Sequence, residues 1–401
     1  MGNGKSLLMR SYVENEKHRG ILITALIFLS YAYFILSCLT GIDSIFQRVR
    51  IIIILLLIIA GAFHVLTKGK IYWIVYLCWS LSFLFILLAA MLYSPQLDLA
   101  WNGIYTYIKI FIPVYIIMQT IVNINDLDRF MNMILYSGLI LSFIIIIFYK
   151  DELFIADRFY SLGNPNSIMA SLLHPVCILI YRIITKKNNK TINILYLVIC
   201  LIVIFFTGSR KGIVIPLVFT IMFIILNNKR TLVKRIVITG IVTFIIYYII
   251  FNVEELHIVL GTRLEIFLTT LFDSKNVTYF SDAIRIQYIK DSFAMFKQSP
   301  LLGYGVNAFE ANYGFYSHNN YTEILCSVGI VGFCAFYWIH AYCLWNLFKA
   351  RKINSNTKNY CDFAISLIIA NLTFDWGGVS YNTLLTMVTI PIAVSPLIIL
   401  K

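Results

Sequence analysis

SPLLGYGVNAFEANYGFYSHNNYTEILCSVGIVG, residues 299–332, runs from a polar segment straight into an apolar one. Pro300 stops whatever precedes it, and Gly303 and Gly305 allow a tight turn around Tyr304. Tyr313, Phe315 and Tyr316 then lead to a single histidine, His318. Asn319 or Asn320 supplies an N-cap for the next helix, and Glu323 follows Asn320 in a capping-box-like arrangement. The stretch therefore reads as a loop, a histidine at a membrane surface, and a spanning helix from residue 321. Imidazole is the side chain best suited to moving protons near neutral pH. The plainer alternative is an interfacial loop histidine.

The chain around this stretch has 401 residues, is 60% hydrophobic and only 13% charged, and has a mean hydropathy of +0.83. Apolar runs of about 17–25 residues recur along it, the pattern of an all-α, polytopic integral membrane protein. About twelve spans are expected. They lie near 21–39, 51–67, 71–93, 104–122, 130–149, 166–185, 192–208, 212–227, 236–252, 321–348, 360–376 and 381–400. No repeat or soluble domain interrupts them, so residues 1–401 read as one membrane domain. The eight cysteines lie in or beside apolar segments with no CxxC pair, which argues against a disulfide framework or metal site. The basic N-terminus followed by a long apolar run reads as an uncleaved first helix.

A net charge of +13 could suggest nucleic acid. Its distribution says otherwise. With the N-terminus inside, the inside loops hold Lys68 and Lys70, Arg129, Lys186, Lys187 and Lys190, Lys229 to Arg235, and Lys349 to Lys358. The outside loops hold acids such as Asp98, Asp151, Glu152 and Asp157, with Arg48 and Arg50 the exception. This is the positive-inside pattern, and no nucleic-acid partner is expected. One long segment, 253–320, then lies outside. Function usually collects in such a loop. Within it, 281–298 is expected to form an amphipathic helix, with Ile286, Ile289, Phe293 and Phe296 on one face and Arg285 beside that face.

Three arginines share the compartment of His318: Arg158 in RFYSLGNPNS, Arg210 in TGSRKG, and Arg285. Each could simply be solvated, and Arg210 and Lys211 could snorkel at the interface. Together with a histidine and aromatics they suit an anionic substrate bearing sugar rings, since guanidinium binds phosphate oxygens bidentately. Lys109, inside the fourth span, is a functional candidate or an outward-snorkelling residue, and Asp375 at the end of the eleventh is similar. His64, His174 and His340 lie within apolar spans and read as packing residues. Asp126-Leu127-Asp128 spells a DxD motif, which elsewhere holds a divalent metal, but it falls in an inside loop, opposite every other candidate.

GNPNS at 163–167, TGSRKG at 207–212, the Arg285 helix followed by SPLLGYGVNAF at 299–309, and HNNYTEILCSVGIVG at 318–332 resemble, in order, the O-antigen ligase/polymerase superfamily. The histidine-asparagine pair followed by Gly-x-x-Gly is the most specific element. The resemblance implies about a dozen spans, one large extracytoplasmic loop carrying part of the active site, and a bacterial plasma membrane location. It implies a glycan donor on undecaprenyl pyrophosphate, with membrane lipid and a chain-length regulator protein as partners; because pyrophosphate is already a good leaving group whose charge arginines can stabilise, no metal and no cofactor are expected. His318 matches the family's essential loop histidine, and Arg210 and Arg285 its conserved arginines. Arg158 falls in a loop where arginine placement varies.

The expected reaction is polymerisation, with His318 as base, Arg210 and Arg285 as pyrophosphate clamp, and Arg158, Lys109, Asn319, Tyr304 and Tyr316 on the substrate. A ligase is the alternative within the family, and a lipid-linked sugar flippase the alternative of another class. A flippase needs paired halves or a cavity open to both sides. The polar residues here gather on one face.

Overall fold

The structure is a computed structural model that describes residues 3–40, 42–68, 73–150, 164–187, 189–227, 232–262, 264–265, 280–353 and 357–399. Among the described residues it is helical, with no strand. In chain order the helices are α1 (Asn3–Leu39), α2 (Ser44–Lys68), α3 (Ile74–Met91), α4 (Leu97–Met118), α5 (Ile124–Phe148), α6 (Pro165–Thr185) and α7 (Lys190–Phe206). There follow α8 (Lys211–Asn227), α9 (Leu232–Asn252), α10 (Phe280–Gln298), α11 (Ala308–Tyr313), α12 (Asn320–Ile353), α13 (Lys358–Asp375) and α14 (Leu384–Ile399). A helix thus stands at each expected apolar run.

Six of them, α1, α2, α3, α5, α6 and α12, are long and apolar enough to cross a membrane. Apolar stretches in α7, α8, α9 and α14 are shorter, while α4 carries Asp98 and Lys109 and α13 carries Lys358, Asp362 and Asp375. Asparagines set several starts: Asn123, Asn164 and Asn189 cap α5, α6 and α7 through their side-chain oxygens. Asp126 completes a capping box on α5 and pairs with Arg129 at 3.0 Å, while Asp128 accepts from Lys187 and from Tyr360 Oη. Both carboxylates of the DxD triplet are therefore occupied by the fold.

The core runs the length of the bundle, and α13 and α14 are its most enclosed members. α13 packs on α8, α12 and α14, while α3 lies against α4 and α12. Close approach is set by small residues: a Cβ on Gly138 would come 2.4 Å from Pro175, and one on Gly212 would come 2.4 Å from Ile204.

The connections meet in two groups. At one end Tyr93 Oη donates to Leu302 O, Asn307 Nδ2 to Leu99 O, Tyr381 Oη to Asn307, and Ser209 Oγ to Asn166. At the other, Lys358 and Arg351 donate to the carbonyls of Asn227 and Leu226, and Asn227 to Asn359. The 300–320 segment belongs to the first group.

One local expectation needs correction. α12 is not one continuous helix: Gly329 has φ 62 and ψ −165 and breaks it. The loop after α10 plugs the break. Tyr304 N and Gly305 N donate to the carbonyls of Cys326 and Ser327, both at 2.8 Å, while Ile330 N and Val331 N donate to Pro300 O and Leu301 O. The backbone groups that the break frees are thereby paired, as an apolar surrounding demands. The expected apolar stripe of α10 is turned outward, with Ile286 and Phe293 exposed. The helix packs on α12 instead, with Ser292 buried and Met295 Sδ against Cys326 Sγ. The small Ser292 permits that approach, and Tyr288 of the same helix turns to the His318 ring.

Candidate active site

His318 sits one residue before the cap of α12. Asn319 is that cap: its Oδ1 accepts from Thr322 N at 3.0 Å and its Nδ2 donates to Trp376 O at 3.1 Å. Glu323 turns back to accept from Ser317 N at 2.8 Å, so its carboxylate serves the turn rather than the imidazole. His318 itself has φ 60, a left-handed conformation that costs a non-glycine residue about 1–3 kcal/mol unless its surroundings impose it.

The surroundings do impose it. Asn320, fully buried, donates to Tyr337 Oη at 2.8 Å and to Asp375 Oδ2 at 3.3 Å, and accepts from Ser380 N and Tyr381 N. Tyr337 Oη donates to Asp375 Oδ2 at 2.8 Å, and Ser380 Oγ donates to Asp375 Oδ1. Buried polar groups satisfied this completely fix one geometry.

Around the imidazole, Tyr316 packs at 4.3 Å between ring centroids, and Tyr288 lies parallel to it at 6.4 Å. Phe309 and Tyr313 extend the aromatic wall. Burial is the largest influence lowering the His318 pKa, to about 4, and the charges of Arg285 and Lys211 push the same way. Burial raises the Tyr316 hydroxyl, with Arg285 opposing. All three influences favour the neutral imidazole, and desolvation is the largest of them.

The structure brings together His318, Tyr316 and Arg285. Arg210 precedes α8, with its carbonyl accepting from the N–H groups of Ile213 and Val214, directly beside Lys211. Asn319 has both ends of its amide engaged, and Tyr304 Oη donates to Gln298, so both build the site rather than face it. Lys109 lies over the Tyr105 ring of its own helix at 4.3 Å, the geometry of a snorkelling lysine. Arg158 lies outside the described residues. Among the described residues no group of three or more His, Cys, Asp or Glu side chains could hold a metal ion.

Sequence reasoning missed two contributors. Tyr288 carries no signal in the sequence beyond its place in the 281–298 helix. The loop from Trp376 to Tyr381 was not read as part of a site, yet it receives Asn319, Asn320 and Lys211. The four motifs that carry the resemblance are joined through it. Asn166 of GNPNS bonds Ser209 of TGSRKG, whose Lys211 holds Gly377. The neighbouring Trp376 holds Asn319, and the glycine loop plugs the helix that Asn319 opens.

No curated protein matches the chain. The O-antigen ligase family model, that of a glycosyltransferase-like enzyme family, matches residues 195–337, which run from α7 to Tyr337 of α12 and include Arg210, Arg285 and His318, consistent with the O-antigen ligase/polymerase superfamily.

Proposed function

We propose that the chain is a glycan polymerase that moves a growing polysaccharide from undecaprenyl pyrophosphate to the next lipid-linked repeat unit, of O-antigen or capsule type. The observation that carries this reading is a half-buried, neutral His318 with two cations acting on it, at the edge of a multi-pass bundle. The acceptor hydroxyl gives its proton to His318 as its oxygen bonds the anomeric carbon. The bond from that carbon to the phosphate oxygen breaks, and its electron pair leaves on undecaprenyl pyrophosphate. Attack opposite the leaving group inverts the centre. Arg285 and Arg210 hold the pyrophosphate and stabilise its developing charge, so the reaction needs no metal. The proton on His318 returns to water.

Arg158 remains a proposed helper in this scheme, and Lys109 is given no role. The site faces the outside of a bacterial plasma membrane, and a chain-length regulator is the expected protein partner. The family model's description favours a second reading, transfer of the finished glycan to a lipid or protein acceptor. Deleting the gene and analysing the lipid-linked glycan separates the two. Single repeat units mean polymerase, and full-length unattached polymer means ligase.

A further inference from the structure

Lys211 belongs neither to the proposed clamp nor to the base, yet it stands at a joint of three helix ends. Its Nζ donates to Gly377 O at 2.8 Å and lies 4.6 Å from the centroid of the Phe374 ring. The next carbonyl back along the chain, that of Trp376, accepts Asn319 Nδ2. Two donors, one following Arg210 and one following His318, thus bind consecutive carbonyls at the end of α13. Gly377 and Gly378 make the approach possible: a Cβ there would come 3.2 Å from Lys211 Cδ and 2.9 Å from Lys211 Nζ. The carbonyl end of a helix carries partial negative charge, so an ammonium is favoured there. A lysine that only snorkels reaches for water and has no need of this fitted seat.

We propose that Lys211 is a positioning residue for the proposed reaction: anchored on Gly377 O, it holds a positive charge next to the carbonyl of Trp376, to which Asn319 ties the His318 turn. The proposal rests on the reading of His318 as the base. Its consequence is that the imidazole stays unprotonated and ready to accept. The other groups around the ring leave that task to cations. Arg285 comes from α10, Tyr288 from α10 and Tyr316 from the loop, while Glu323 of α12 is engaged by Ser317 N. Glu310 of α11 acts on Tyr316 rather than on the ring.

Diethyl pyrocarbonate modifies neutral imidazole, so its rate at His318 across pH, read by site-resolved mass spectrometry on purified full-length protein, tests this without any glycan. The wild-type midpoint is expected near 4. Lys211→Gln keeps a donor for Gly377 O and removes the charge, so the midpoint is expected to rise by a few tenths of a pH unit, since Lys211 acts after burial and Arg285. Lys211→Arg keeps the charge and is expected to match wild type. An unchanged midpoint in Lys211→Gln overturns the proposal. An equal rise in Lys211→Arg also overturns it, because packing rather than charge would then be the cause. Should neither variant yield monodisperse protein, Lys211→Met removes the charge while keeping the apolar length of the side chain, and an unmoved midpoint there is equally fatal. His318→Ala polymer synthesis tests the base reading separately, since it can fail while the titration result stands.

Discussion

His318 stands where a proton is least welcome. Its ordinary pKa near 6.5 is lowered to about 4 by burial first and by Arg285 and Lys211 after it. A base must be neutral to act, so the rate is expected to stay flat as pH falls from 7 to about 5 and to drop only as pH passes through about 4. A pH–rate profile on reconstituted protein checks this, and an acid limb near 6.5 would show the ring to be less shielded than its burial requires. His318→Ala should lose activity by roughly 10²–10⁴-fold with the protein still folded and still binding lipid-linked donor. Arg285 and Arg210 are expected to act through both charge and fork, so Arg→Lys keeps part of the activity and Arg→Ala loses nearly all. Wild-type rates for both alanine variants, at normal expression, would remove them from the site.

At the scale of elements the broken helix makes the sharpest prediction. Gly329 combines φ +62 with a neighbour, Leu301 O, only 2.2 Å from where a Cβ would stand. Gly329→Ala must expel the 300–305 loop or distort α12, and φ 62 with ψ −165 is a region essentially restricted to glycine, costing another residue about 1–3 kcal/mol. Lowered thermal stability with lost activity is expected, measured by thermal unfolding in detergent and by polymer synthesis. The helices themselves were legible, because apolar runs and asparagine caps are local signals. So was the segment holding His318, Arg285 and Tyr316, through its capping and turn residues. The break was not legible, because glycine is common inside membrane helices and nothing near Gly329 announces a strand of loop arriving from Pro300. The direction of the α10 stripe was not legible either: periodicity finds an apolar stripe but cannot tell a stripe turned to the bundle from one turned away. The Trp376–Tyr381 loop stayed hidden because its bonds to Asn319 and Asn320 span about sixty residues of chain and repeat no pattern.

For the whole molecule, the two groups of end connections correspond to the two sides that charge distribution assigns. In a variant otherwise free of cysteine, Phe315→Cys is expected to label from outside and Lys352→Cys from inside. Labelling of residue 315 from inside would invert the proposed mechanism's compartment. Purified protein should also stay active in EDTA, since arginines take the place of a cation in the clamp. Loss in chelator restored by Mg²⁺ or Mn²⁺ would discredit that clamp.

The seam at Gly329 also sets a rule for making hybrids. Residues 300–305 supply hydrogen-bond partners that the two halves of α12 otherwise lack at that depth. These bonds run from main chain to main chain, so a graft that takes the loop from one relative and the helix from another keeps them only where the two backbones still fit, with glycine at the positive-φ positions 303, 305 and 329. The smallest transplantable cassette therefore runs from the start of α10 past Val331. An exchange cut at His318, where sequence similarity invites it, is expected to give protein that fails to accumulate.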